Sequence, residues 1–306
     1  MRPADLARLL LLSALWGGSF VFIRVAAPVL GPIVLVEARV LTAGLALLVY
    51  TVAMNKRRDL RAWWRQYLVI GALNSAIPFV LISTAELHLT ASLASILNAT
   101  SPLFGVLIAA AWINDPLTPK KIVGIVLGVA GVAVLAGWSP LTLSRAVILS
   151  IGASLSGALF YGLAGVYAKA RAAGVPALGM AVGSQLSASV LLLPLVPLAV
   201  PSDAPSARVI ACVLALALFC TALAYALYFR LIVDVGPTRA ITVTFLIPIS
   251  GVMWATLFLG EDIKPGTLLG CGIILVGTAL VTGVRLGRVR VAPQLHVEGG
   301  GLWEDV

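Results

Sequence analysis

Charge is what this sequence has least of. Only 11% of its 306 residues are Asp, Glu, Lys or Arg, 60% are hydrophobic, and the mean hydropathy is +1.07. A water-soluble domain carries about a quarter charged residues, so the solvent for this chain is lipid. Histidine occurs twice, and the three cysteines, Cys212, Cys220 and Cys271, lie far apart inside apolar runs with no CxxC spacing. That leaves no ligand set for zinc or haem, so no metal or cofactor is expected, and the thiols read as small buried hydrophobes. The net charge of +9 would suit nucleic acid if the basic residues formed a face with interleaved aromatics. They fall between the apolar runs instead, where they set membrane orientation, and no nucleic-acid partner is expected. No Asp, Glu or His occupies the middle of a run. A membrane-embedded enzyme would need a nucleophile, base or metal cluster at one depth, and that is missing. Proton coupling through a central carboxylate likewise has no obvious carrier; Glu86, near a run's end, is the nearest candidate.

What the sequence does have is long apolar runs. Spanning a bilayer takes about 20 apolar residues in a helix. Ten runs qualify: 6–27, 33–54, 66–87, 91–114, 119–137, 145–168, 177–200, 207–233, 237–259 and 265–284. The separators are short and rich in Pro, Gly and Asn, too small to hold a soluble domain. With the N-terminus inside, sixteen Lys and Arg fall in inner segments against Arg145, Arg208 and Lys264 in outer ones. Arg24 and Arg39 remain within runs. The alternation supports both the helix count and an orientation with both termini cytoplasmic. Arg2 and Arg8 ahead of Leu9 to Ala14 could pass for a secretion leader cleaved after Ala27, but cleavage would leave an odd helix and break the duplication described next.

The stretch Leu89 to Gly137, shifted by 146, lies without a gap on Val235 to Gly283. Pro102 falls on Pro248, Gly105-Val106 on Gly251-Val252, Asp115 on Glu261, Pro119 on Pro265, and Gly124, Gly131 and Gly137 on Gly270, Gly277 and Gly283. Prolines and glycines matching in register are hard to dismiss as apolar bias, because each fixes a backbone feature. The chain therefore reads as an all-α membrane bundle of two five-helix repeats, residues 1–138 and 139–286, with a disordered cytoplasmic tail at 287–306. Five helices per half is odd, so the second half enters the membrane from the opposite side. Inverted repeats are the architecture of many secondary transporters, with the substrate held near the midplane where the halves meet.

The first run carries Trp16-Gly17-Gly18-Ser19-Phe20, two glycines that thin the helix between aromatics on one face. Together with Glu37-Ala38-Arg39, the duplicated Pro102 and Pro248 runs, and the acidic-loop-Pro stretches 115–119 and 261–265, this motif resembles the EamA branch of the drug/metabolite transporter superfamily. The resemblance covers residues 6 to 284 and is strongest toward bacterial exporters of aromatic and other amino acids. It implies ten helices, an inverted repeat and a central cavity lined chiefly by helices 1, 3, 4, 6, 8 and 9.

In the fourth run, Pro102 frees a backbone carbonyl near Asn98, while Asn98 and Ser101 add polar groups at i, i+3. Such groups are costly against lipid, so they face protein or a cavity. Thr242, Thr244 and Pro248 repeat the theme in the ninth run. Broken helices at matching positions of two halves point to a transport site, with Pro102 and Pro248 as hinges; hydrogen bonding between packed helices is the plainer alternative. Asn74, Phe79, Tyr161 and Tyr225 bring aromatic and polar groups to mid-depth, suited to a solute with an apolar body and polar ends. The expected substrate-binding set is Trp16, Asn74, Phe79, Asn98, Ser101, Tyr161 and Tyr225. Arg24, Glu37 and Arg39 lie toward the outer side, where a pairing of Glu37 with either arginine would lock helix ends together or meet a substrate carboxylate. Gly124-xxx-Gly128 and Gly266-xxx-Gly270 mark close helix contacts, either scaffold or the seam of a homodimer. The expected function is secondary-active export of small amphipathic metabolites, amino acids foremost, across a bacterial inner membrane. A drug or nucleotide-sugar carrier, or a passive pore, is the alternative.

Overall fold

The computed structural model describes residues 2–55, 59–138, 144–201 and 204–283. The tail expected at 287–306 lies outside these residues, as do Lys56, Arg57 and Arg58. Every regular element among the described residues is helical. Eight helices are long and apolar enough to cross a membrane. One of them, Pro3–Ala53, is 51 residues long, which at 1.5 Å per residue is about 76 Å, more than twice a hydrocarbon core of about 30 Å. Gly31, with φ +71°, divides it into α1 (3–30) and α2 (32–53). A left-handed φ of that kind is open to glycine at no steric cost. The expected loop from Pro28 to Pro32 is thus reduced to one residue. The rest are α3 (Trp64–Ala85), α4 (Ala91–Ile113), α5 (Pro119–Gly137), α6 (Arg145–Arg171), α7 (Ala177–Leu198), α8 (207–235), α9 (Val243–Leu259) and α10 (Pro265–Thr282). The seventeen-residue α9 completes ten.

The duplication is visible in the backbone. Helix α4 ends on Asn114 (φ 54°) and α9 on Gly260 (φ 66°), both left-handed and 146 residues apart. In each, the next amide closes the helix end, Asp115 N donating to Ala109 O and Glu261 N to Ala255 O. The repeat also reaches one helix further back than sequence identity showed. A π turn interrupts α3 at Ala72–Ala76, and another interrupts α8 at Leu218–Leu223, again offset by 146.

Glycines set how closely the helices approach. Gly17 of α1 lies so tightly on α9 that a Cβ would sit 2.2 Å from Ser250 Oγ and 2.6 Å from Gly251 N. The same seam carries Ser250 Oγ donating to Ser13 O at 2.7 Å and Trp254 Nε1 to Ala14 O at 2.9 Å. Its counterpart is α4 on α6, where Gly105 meets Gly162. Helices α5 and α10 pack on each other through Gly124 against Gly277 and Gly131 against Gly270. That glycine stripe is used inside one chain, so of the two readings, scaffold or homodimer seam, it is the scaffold contact that forms here. Large apolar side chains such as Val49, Val126, Leu198 and Leu257 face outward, as a lipid-facing surface requires.

Candidate functional site

Between the halves lies a cavity of about 250 Å³, lined by Trp16, Ser19, Phe20, Ile23, Arg39, Asn74, Phe79, Ile82, Asn98, Ser101, Tyr161, Tyr225, Tyr228 and Ile247. All seven residues expected to form a binding set are brought together on this wall. Sequence reasoning had placed Arg39 elsewhere and had not singled out Ser19, Ile23, Ile82 or Ile247. A larger groove of about 500 Å³ opens between α1, α8 and α9, but apart from Arg208 its lining is almost wholly apolar. Polar groups that could orient a solute converge only on the first.

Each polar wall residue has a local cause. Pro102 has no N–H, so the Asn98 carbonyl one turn earlier loses its helical partner. Ser101 Oγ donates to that carbonyl at 2.6 Å, and the helix breaks at residues 99–100 immediately before. Asn98 Oδ1 is buried without a protein donor. In the second copy the break falls at residues 241–242, and Pro248 sits inside continuous α9. Thr242 and Thr244 bond back to the Arg239 and Ile241 carbonyls, and Ile247 is the one residue of that stretch on the cavity wall. The two copies are thus broken at different points, and the polar notch belongs to the first.

The π turns shape the middle of the wall. A π turn inserts one residue and shifts the side chains beyond it around the helix axis. In α3 it turns Asn74 toward α8, where Nδ2 donates to Tyr225 Oη at 2.7 Å. Trp16 stands edge-on to Tyr225 at 6.4 Å and tilted to Tyr228 at 5.3 Å, while Phe79 meets Tyr161 at 6.4 Å. These are attractive aromatic geometries, and all five rings line the cavity.

The charged residues correct the sequence reading. Glu37 accepts from Ser189 Oγ on α7, Arg39 Nε donates to Thr221 Oγ1 on α8 at 2.9 Å, and Arg24 donates to the Glu86 carbonyl. No pairing of Glu37 with Arg24 or Arg39 forms. Residues two apart on a helix do not share a face, so Glu37 and Arg39 are aimed at different neighbours. Glu86 is fully buried off the cavity wall, its carboxyl oxygens without hydrogen-bond partners. At one end of the bundle, Glu261 accepts from Ala91 N at 2.7 Å and Ser92 N at 3.0 Å, pinning the start of α4 to the second half. Its counterpart Asp115 caps no helix. It accepts from Lys121 Nζ at 2.8 Å, which holds its carboxyl below the usual carboxylate range.

Ten helices in two repeats around an amphipathic cavity are the architecture of many membrane transporters. The profile of the EamA-like transporter family matches this chain twice, over residues 6–137 and 148–283, and the chain belongs to that family. A solved crystal structure shares the fold with a TM-score of 0.64 at 18% identity, over 92% of this chain and 96% of that one. A probable terminal-alkyne amino-acid exporter of Streptantibioticus cattleyicolor is 28% identical over 90% of this chain and 93% of its own. The uncharacterized transporter YvbV of Bacillus subtilis is 26% identical over 87% and 88%, and the uncharacterized inner membrane transporter YedA of Escherichia coli K12 is 27% identical over 88% and 87%.

Proposed function

We propose that this protein exports small amphipathic metabolites, amino acids foremost, by alternating access across a bacterial inner membrane. The observation that carries this is the cavity itself, which combines ring faces with a few fixed polar groups. At about 250 Å³ it is below the roughly 300–1,000 Å³ of drug-sized sites, which suits one small metabolite and disfavours a nucleotide sugar. The amino-acid exporter among the relatives agrees with that size.

Asymmetry between the repeats supports a direction. The Glu261 clasp closes one end, while the matching acidic residue at the other end is occupied by Lys121. The ion pair between Arg8 and Asp234, 2.6 Å, also ties α1 to α8 but is partly exposed, and such pairs contribute about 0–1 kcal/mol. With the termini cytoplasmic, the closed end is periplasmic and this conformation is the inward-facing one. In the opposite state the halves rock, Glu261 releases α4, and Asp115 approaches the start of the segment preceding α9.

Counterflow in proteoliposomes tests the reading: preloaded unlabelled amino acid should drive saturable uptake of labelled amino acid. Asn98→Ala with Ser101→Ala should cut that exchange about tenfold, on the scale of two lost hydrogen bonds, with the amount of protein in the membrane unchanged. Linear uptake without counterflow would mean a pore. Full exchange by both single variants and the double would remove Asn98 and Ser101 from the site.

A further inference from the structure

We infer that Arg39 is an anchor for a substrate carboxylate, so that the cavity takes acids with an apolar or aromatic body and rejects the matching amides and amines. This rests on the transport reading above and narrows its substrate class.

Arg39 is 5% exposed, and it is the one charged side chain on the cavity wall. Its guanidinium lies 3.6 Å over the centre of the Phe79 ring, and its Nε is taken by Thr221. Those two contacts fix the plane of the group. Among the described residues its two terminal nitrogens make no hydrogen bond or ion pair, and neither is sealed in protein. What remains is a planar fork of donors held open toward the cavity, the geometry that binds a carboxylate through two parallel hydrogen bonds.

The second repeat shows what the position needs for folding. Adding 146 to Arg39 gives Gln185, and adding 146 to Ser75 gives Thr221. Gln185 Nε2 donates to Ser75 Oγ at 2.9 Å, as Arg39 Nε donates to Thr221 Oγ1 at 2.9 Å. Each repeat therefore uses its second helix to clasp the hydroxyl in the other repeat's π turn. A neutral amide does this in one copy, so the clasp requires a donor and no charge. A buried cation is costly unless something pairs with it directly. Glu37 is turned toward Ser189, and Glu86 acts on Arg39 through space from off the wall without an ion pair or hydrogen bond, so neither closes the fork. The missing anion is the substrate's. Asn98 and Ser101 add neutral polar groups to the same wall, and Trp16, Phe79 and Tyr161 supply aromatic surface for the body.

The test is competition in proteoliposomes against labelled L-phenylalanine and L-leucine. The competitors are 3-phenylpropionate, phenylalaninamide and phenethylamine, and cationic drugs are offered as alternative labelled substrates. The acid should compete, while the amide and amine should need at least about tenfold more, the scale of a charge-assisted hydrogen bond. Arg39→Gln, which retains a donor for Thr221, should keep the wild-type melting temperature in detergent and lose amino-acid exchange at least tenfold. Arg39→Lys should retain part of it. Amide or amine competing as well as the acid, or Arg39→Gln exchanging at the wild-type rate, would overturn the anchor. Exchange of cationic drugs but not amino acids would overturn the anchor and leave a transporter. If the wild type exchanges nothing in the panel, the transport reading falls and the anchor with it. Should Arg39→Gln misfold, the competition series on the wild type still decides.

Discussion

Valine at position 17 should leave little folded protein. The added Cβ would lie 2.2 Å from Ser250 Oγ, 2.6 Å from Gly251 N and 2.9 Å from Ser250 C, and the last two are backbone atoms that cannot rotate away. Helix α1 must then retreat from α9, which also stretches the bonds from Ser250 to Ser13 and from Trp254 to Ala14. Forced overpacking costs about 1–3 kcal/mol and the broken buried hydrogen bonds add to it, so a loss of about 3 kcal/mol or more is expected. In detergent that should read as an apparent melting temperature lower by roughly 6–12 °C. Gly152→Ala on α6 is the control, since its Cβ would meet nothing within 4 Å and alanine is the better helix former. Equal melting of Gly17→Val and wild type would mean that the α1–α9 seam is looser than drawn.

The second large effect belongs to Glu261. Its carboxylate takes two amides of the first turn of α4, where the helix dipole also favours a negative charge. Glutamine keeps one acceptor and loses the charge, which should remove about 1.5–3 kcal/mol from the clasped end, periplasmic in the proposed orientation. A two-state equilibrium then shifts by roughly ten- to a hundredfold toward the state open at that end. The readout is labelling of Ser19→Cys, on the cavity wall, by a membrane-impermeant thiol reagent after Cys212, Cys220 and Cys271 are replaced. Labelling from the periplasmic side should rise at least tenfold in Glu261→Gln. Unchanged labelling would show that the clasp does not gate that end.

Much of this was legible before any coordinates. Proline and glycine announce backbone features directly, so the duplication, the close-packing faces of α5 and α10 and the notch at Asn98 to Pro102 could be read from spacing, though not that α5 and α10 pack on each other. The cavity residues could be read because polar and aromatic groups at mid-depth have few other uses. The π turns could not: 72–76 and 218–223 share only a hydroxyl at 75 and 221 and alanine at 76 and 222, which do not mark a change of helix type. Without them Ser75 and Thr221 have no evident partners, and the two clasps stay invisible. Arg39 was set too near the outer side because depth was counted from an expected loop at 28–32. The turn is the single residue Gly31, and Arg39 lies eight residues, about 12 Å, from it along α2 and on the cavity wall. The expectation that Glu37 would pair with an arginine ignored which face each residue occupies.

The matching π turns also carry a date. An insertion present at the same position in both copies is most simply older than the duplication that produced them. The single-repeat ancestor, working as a pair of opposed copies, would then already have had the bent third helix and the clasp onto its hydroxyl. Arginine at one clasp and glutamine at the other record a later event. Only once the two copies could vary independently could one face of the cavity gain a charge that the other lacks. Identical copies would have presented the same group to both ends of a cargo.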